Sequence, residues 1–548
     1  MFVRLIGGFQ VLDGAGRDCT PRGAKSRALL AMLCQTPDRR RARRWLESKL
    51  WSDRGAEQAS GSLRQALMEL RKALGECAYK VQADRDSVSL ADAATDLETD
   101  VAGAAEALAT GRDFLEGIDI VDPAFLDWLR EERARVALAL GIGGGSSASA
   151  SQPGDSAPPF VITLGSLPPG EGSFAARDLA QAIARLVSEF AHVQVFGAGP
   201  EDLPADLPRT GLELHLEGAL IQGRVHMMAS LAFRATGQTV WSQRISVEGP
   251  QDVAEGLGDV PALVFQAADA ALAQMPRLAQ AGPAGAALQV NDLIARAVVE
   301  MFSYDAVRLR AADALLERAA RLLPTGRVHA WRSLVRQIMF VERTEGPPKR
   351  LESEADAFAR DALDRSNGNP LVLALVSQTR VMVDENPEAG TVLARDSLRL
   401  SPFNPYAHWS VAAAHIRQLD HAAALAAARR GTEIASRTAF GHWWEALAGL
   451  AALRGGEFGK AAAHYEAAFY RAPSFRAAMR PLLYLYLEAG APEKAARVLR
   501  PLLRAEPDFH PDQLLDSGYP AVTLRQSGLA QRHARTVARM IGTPGSPA

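Results

Sequence analysis

Cysteine is nearly absent. Three occur in 548 residues, Cys19, Cys34 and Cys77, an odd number with no CxxC pair, so neither a disulfide framework nor a zinc site is indicated and a reducing cytoplasm is the expected compartment. Long apolar runs are missing too: none approaches the ~20 residues that cross a bilayer, and no membrane association is expected. The opening MFVRLIGGFQVLD has no basic stretch ahead of an apolar core and no cleavage site, which predicts no signal peptide. Catalytic signatures are equally scarce. No GxxxxGK[ST] is present, since Gly459-Lys460 is followed by Ala461, and neither HExxH nor GxSxG occurs. GIGGG at 141–145 follows a helical stretch and opens no βαβ unit, so it is no dinucleotide fingerprint. The chain is therefore expected not to be an enzyme, and to need neither cofactor nor metal. No receiver domain with a phosphorylatable Asp is expected either.

What is present describes soluble globular protein: 48% hydrophobic and 23% charged residues. At ~100 to 200 residues per domain, the length predicts three or four domains. The net charge of −2 hides an asymmetry, because residues 1–90 carry 17 Lys/Arg against 10 Asp/Glu. That basic end is the candidate for nucleic acid.

Within it, Glu57 to Gly75, EQASGSLRQALMELRKALG, has the spacing of an amphipathic helix. At about 100° per residue, Ala59, Leu63, Ala66, Leu67, Leu70 and Leu74 share one face, which is expected to bury. The other side carries Gln58, Gly61, Gln65, Met68 and Lys72, flanked by Arg64 and Arg71, and Gly75 is placed to end the helix. Arg, Gln and Lys read base edges and phosphates; a solvated basic face would show the same pattern. Around this helix the pattern predicts a strand at Phe2 to Leu12, a return strand near Arg17 to Cys19, and a helix from Ala24 to Gln35 with Thr20 as N-cap and Pro21 at its first position. A second helix at Arg41 to Leu50 and two strands within Tyr79 to Leu90 complete the region.

The segments RLIGGFQVLD, TPRGAKSRALLAML, the Leu50-Trp51 pair, SLRQALMELRKALG and VQADRDSVSL, in that order, resemble the DNA-binding domain of SARP-type bacterial transcriptional activators. The resemblance covers about residues 1–92 and implies a winged helix of the response-regulator type, whose third helix enters the major groove of double-stranded DNA. On the outward face of that helix, near its middle, Arg64, Gln65 and Met68 are the candidates for base edges, and Gln58 on the same side is a further DNA-binding candidate. Arg71, Lys72, Arg22, Lys25 and, at the wing tip, Arg85 are expected at phosphates. Asp96 to Leu140 reads as helices and resembles the start of the bacterial transcriptional activator domain. Residues 141–159, GIGGGSSASASQPGDSAPP, have the composition of a flexible linker instead of that domain's remaining hairpins.

Strands at 160–165, 192–196, 212–220, 224–233 and 240–247, with helices at 173–190 and 252–275, follow. Their core, LEGALIQGRVHMMASLAFRATGQTVWSQRI, resembles the TolB-like domain of bacterial regulators, a resemblance that carries no catalytic residues. His215, Glu217 and His226 alternate on these strands and are read as solvated or core-edge polar positions, not as metal ligands.

From about Val290 the pattern is helical and repetitive. Pro402, Ser436, Pro473 and Pro507 recur at close to the ~34-residue period of a tetratricopeptide unit, and Gly449, Ala461, Tyr465 and Ala468 match its small and aromatic positions. Asp384 to Pro507 is the expected partner-binding part. His329, Trp331, His408, Trp409, His442, Trp443 and Trp444 recur near repeat starts and are read mainly as interlocking core.

The expectation is a multidomain, mainly α protein: a winged-helix DNA-binding domain (1–92), a helical extension (93–140), a linker (141–159), a TolB-like α+β domain (160–280) and a C-terminal α-solenoid of tetratricopeptide-like repeats (288–540). The expected function is a cytoplasmic, sequence-specific DNA-binding transcriptional regulator whose repeats bind a regulatory protein or peptide, with RNA polymerase a further candidate partner. The alternative is a repeat-based scaffold whose winged helix binds protein and not DNA. Oligomeric state is left open.

Overall fold

The structure, a computed structural model, describes residues 1–36, 38–140, 157–165, 171–198, 207–222, 224–281, 284–344, 346–366, 368–383, 387–516 and 518–542. The expected linker falls almost entirely outside the described residues, as does Asp384. The protein is mainly helical. Residues 1–147 make up most of one compact unit, and residues 148–362 and 370–548 the other.

In the first unit the strand expected over residues 2–12 is two, β1 (Phe2–Arg4) and β2 (Gln10–Leu12). Gly7, at φ +77°, turns the chain between them. The buried Asp96 carboxylate accepts the N–H groups of Leu5 (2.8 Å) and Ile6 (2.9 Å) where a ladder partner would otherwise be needed. The expected return strand at residues 17–19 reduces to one bridge, Leu12 with Asp18, because Asp13 gathers the Ala15 and Arg17 N–H groups into a tight turn. Helix α1 (Ala24–Cys34) starts after Gly23. Thr20 does not cap it, since its hydroxyl accepts the Val11 N–H at 2.9 Å.

Arg40–Ala42 form β3, a strand absent from the sequence reading, so α2 (Arg43–Leu50) starts two residues late. The 19-residue α3 (Ala56–Leu74) buries Ala59, Leu63, Ala66, Leu67, Leu70 and Leu74, the six positions expected from their spacing, and Gly75 follows at φ +53°. Next come β4 (Val81–Ala83) and β5 (Ser87–Leu90), and the second small sheet has the order β3-β5-β4. Strand β6 (Ala94–Thr95) lies parallel to β1.

Helices α4 (Asp96–Thr99), α5 (Val101–Ala109) and α6 (Pro123–Ala139) belong to the same core, which runs without a break from Val3 through Leu29 and Leu63 to Phe125 and Val136. Asp122 joins extension to body: it accepts the Ser52 N–H and hydroxyl, each at 2.8 Å, and the Ala124 N–H at the start of α6. The boundary expected at residue 92 does not divide this core.

In the second unit, β7 (Pro159–Leu164), α7 (Glu171–Phe190) and β8 (Gln194–Ala198) form a parallel crossover. β9 (Leu212–Ile221), β10 (Arg224–Phe233) and β11 (Thr239–Val247) complete a sheet of order β11-β10-β9-β7-β8. Alternation sends Leu212, Leu214, Leu216, Val225, Met227 and Ala229 into the core. The helix expected over residues 252–275 is broken into α8 (Pro250–Ala254), α9 (Val260–Leu272) and α10 (Met275–Gln280). Gly256 and Gly258 both adopt positive φ between the first two; the Phe403 ring would lie 2.5 Å from a Cβ on Gly256.

The remaining helices are α11 (Ala286–Met301), α12 (Ala306–Leu322), α13 (Gly326–Val341), α14 (Pro348–Asp364), α15 (Pro370–Met382), α16 (Pro387–Leu400), α17 (Pro405–Arg417), α18 (His421–Ala435), α19 (Gly441–Arg454), α20 (Phe458–Arg471), α21 (Arg476–Glu488), α22 (Pro492–Ala505), α23 (Val522–Gln526) and α24 (Leu529–Gly542). Hairpin starts at Pro370, Pro405, Gly441 and Arg476 recur every ~35 residues. Gly449 is small for a packing reason: a Cβ there would stand 3.0 Å from the Tyr465 ring of the paired helix. Sheet and helices are not separate bodies. Buried Glu189 at the end of α7 accepts from Ser401 (2.9 Å) and Asn404 (3.1 Å), and Phe190 packs on Tyr406 with ring centres 5.7 Å apart.

Candidate nucleic-acid interface

With its apolar stripe buried, α3 presents Gln58, Gly61, Arg64, Gln65, Met68, Glu69 and Lys72 to solvent. Met68 is 58% exposed. Arg64 folds back loosely, its Nε donating to the Ser60 carbonyl at 3.3 Å. Gln65 donates to Glu69 at 3.0 Å, one turn on. A cleft of about 950 Å³ runs along this face, between Gln58, Gly61 and Gln65 on α3 and Lys25, Trp51 and Asp119–Val121 opposite.

Two expected phosphate contacts are engaged within the protein. Lys25 donates to the Leu50 carbonyl and stands 4.9 Å from the Trp51 ring centre. Burial pushes its pKa down. Leu50 ends α2, so its carbonyl is one that the helix leaves without a partner, and the ammonium meets the negative end of the helix dipole. Arg71 donates to the Val81 carbonyl at 3.1 Å and ties α3 to the following hairpin. Arg22, Lys72 and Arg85 are exposed. Arg85 lies between Asp84 and Asp86 at the hairpin tip, and the Asp86 N–H holds the Asp84 carboxyl below its ordinary range.

The sequence reading missed the run Arg39, Arg40, Arg41, Arg43, Arg44, although five Arg in six positions was the available signal. The structure separates them. Arg39 pairs with Glu98 at 2.7 Å, Arg40 with Asp84 at 2.9 Å, and Arg41 lies over Trp45 at 4.3 Å. Arg44, in the first turn of α2, is exposed. The basic excess is also local: residues 91–140 carry 12 Asp/Glu against 4 Lys/Arg, which cancels that of residues 1–90.

Elsewhere, Thr163 Oγ1 lies 3.0 Å from His215 Nδ1, and Glu217 is 3.9 Å from the ring's other nitrogen. Among the described residues no three His, Cys, Asp or Glu side chains gather as metal ligands would, and no helix is long and apolar enough to cross a membrane. The seven repeat aromatics and histidines are all buried. Trp409 and Trp443 stack at 4.8 Å, and Trp444 donates to the Pro405 carbonyl at 2.9 Å.

No protein-family model matches the sequence, and no curated protein does. Among solved structures, the chain is similar to the human IFIT1 dimer with m7Gppp-AAAA at 15% identity and a TM-score of 0.34, over 54% of this chain and 74% of that one. Similarity to yeast Tom70 is 11% identity with a TM-score of 0.27, over 91% and 94% of the two chains. Likenesses this weak leave the reading to rest on the chain's own geometry.

Proposed function

We propose that the protein is a sequence-specific DNA-binding transcriptional regulator. In this reading residues 1–140 act as one winged-helix unit, α3 enters the major groove, and the β4–β5 hairpin is the wing. The observation that carries it is the division of α3: six apolar positions are buried, while Gln58, Arg64, Gln65, Met68 and Lys72 stand exposed along one length of helix. At 1.5 Å per residue a helix of this length spans roughly 28 Å, enough to follow a major groove and meet phosphates beyond it. Arg64, Gln65 and Met68 read base edges; Lys72, Arg22 and Arg85 meet phosphates. The helical array takes a regulatory protein or peptide.

The scaffold alternative also has an observation behind it. Glu69 and Asp119 line the cleft beside α3, and the acidic extension leaves the unit without a net positive charge. Substitution separates the two. Arg64→Ala should cost about 1 to 3 kcal/mol on the specific site and relax its sequence preference. Lys72→Ala should weaken all sequences alike and lower the salt slope by about one. Selection from a random DNA pool followed by salt titration reads both. An Arg64→Ala protein with the parent's discrimination would remove α3 as the reader and favour the scaffold.

A further inference from the structure

A cavity of about 790 Å³ lies within the second unit, walled by α13, α19, α21 and the segment Gly518–Leu524. Its size falls in the range that holds small organic ligands. Most of the wall is apolar, with Ile338, Val341, Trp443, Leu447, Leu450 and Leu524 contributing.

Of the polar wall residues Lys349 is exposed and Glu352 and Thr523 are half-buried; the buried ones divide into two kinds. Charged ones deep in the wall are answered by the protein itself. Glu342 accepts the first amides of α21, from Arg476 at 2.9 Å and Ala477 at 3.1 Å. Arg480 donates twice to Glu506, at 3.1 and 3.0 Å, and once to the Val341 carbonyl at 2.9 Å. Three neutral ones are not answered: Tyr304 Oη, Gln337 Oε1 and Trp409 Nε1 are buried with no hydrogen-bond partner, on side chains no more than 5% exposed. Buried polar groups are ordinarily paired, and here three of them belong to residues around one void. A hydroxyl donates or accepts, an amide oxygen accepts, and an indole N–H donates.

We propose that this cavity binds an uncharged, mainly apolar organic molecule bearing at least one hydrogen-bond donor and one acceptor, with Gly518–Leu524 as one of its walls. A charged ligand would find Glu342 and Arg480 already satisfied and would lose its hydration without return. The proposal goes beyond the DNA-binding reading and does not depend on it.

The test titrates the full chain with N-phenyl-1-naphthylamine, a neutral apolar amine whose absorption overlaps tryptophan emission. One saturable site per chain is expected, with energy transfer from Trp409 and Trp443. Leu450→Trp and Ala521→Trp fill the void from opposite walls, and each should weaken binding at least tenfold while the melting temperature holds. Absence of a saturable site, or parent-like binding by either folded variant, overturns the proposal. So does tighter binding of the anionic 1-anilino-8-naphthalenesulfonate. If both variants unfold early, hydrogen exchange on the parent decides: the probe must slow amides in 338–341, 443–450 and 518–524, and slowing confined to other segments refutes the site. DNA binding by residues 1–140 is measured separately, and neither result bears on it.

Discussion

Lys25 separates two readings of one charge. From sequence it belongs on a phosphate; in the structure it closes the C-terminus of α2. Lys25→Met keeps the aliphatic stem and removes the ammonium. A hydrogen bond from a charged donor contributes ~1.5 to 3 kcal/mol, and a cation over an indole ~0.5 to 1 at a partly exposed site. Relief of the ammonium's desolvation, visible in its lowered pKa, offsets part of this. A net loss of roughly 1 to 2 kcal/mol follows, and at about 3 to 4 °C per kcal/mol for a unit of this size the melting temperature of residues 1–140 should drop by roughly 3 to 8 °C. Because the ammonium is engaged, the salt slope of DNA binding should not change. Calorimetry on the 1–140 fragment and salt titration on the full chain measure the two. A slope lowered by one unit with an unchanged melting temperature would mean that Lys25 leaves Leu50 for a phosphate, and the capping argument would fail.

Burial lifts the Glu189 carboxyl to about 8, so the folded chain keeps a proton that the unfolded chain releases near its ordinary value of 4.5. Stability therefore falls as pH rises between those values, and Glu189→Gln should melt several degrees above the parent at pH 8.5 yet close to it at pH 5; an equal gap at both would show that Glu189 does not titrate. Trp409→Ala should lose ~3 to 5 kcal/mol of packing, read as a large drop in melting temperature, because the ring is stacked on Trp443. A variant that melts with the parent and loses only a bound partner would instead make Trp409 a groove residue.

What the sequence showed of the fold was local periodicity. The six apolar positions of α3 lie within sixteen residues, so their burial needed no knowledge of the rest. The same holds for the alternating strands β9 and β10 and for Gly449 facing Tyr465 in one hairpin. What was hidden depends on distant partners. Residues 2–12 read as one strand until Asp96, some 90 positions away, supplies the bonds that let the chain leave the sheet at Leu5. Lys25 reads as a free cation until Leu50 is placed beneath it. Arg41 and Ala42 read as the start of the second helix because β3 is recognisable only from its pairing with β5. The cavity is the extreme case: its wall is gathered from Tyr304 to Leu524, and no single repeat carries its pattern.

The near-cancellation of charge across residues 1–140 bears on how the proposed reader would work. Many of the extension's carboxylates are already matched: Asp96 and Asp122 by backbone amides, Glu98 by Arg39, Glu116 by Arg112, Glu132 by Arg135. Such groups still repel phosphate at long range, but at physiological ionic strength the field of an exposed charge fades over about 8 Å. Placement then matters more than sum. Glu69 and Asp119 line the cleft beside Gln58 and Gln65, while its two cations are turned inward, Lys25 to the Leu50 carbonyl and Arg54 to the Ser62 hydroxyl, so a phosphate is disfavoured there, whereas a carboxylate accepts from the exocyclic amine of cytosine and a glutamine amide pairs with adenine. Lys72, farther along the same helix, is exposed and outside that cleft, as are Arg22 and Arg85. In the proposed reading, the acidic residues at the cleft confine phosphates to those cations and leave the middle of α3 to base edges, so the acid that lowers the unit's net charge also sets the register in which it reads.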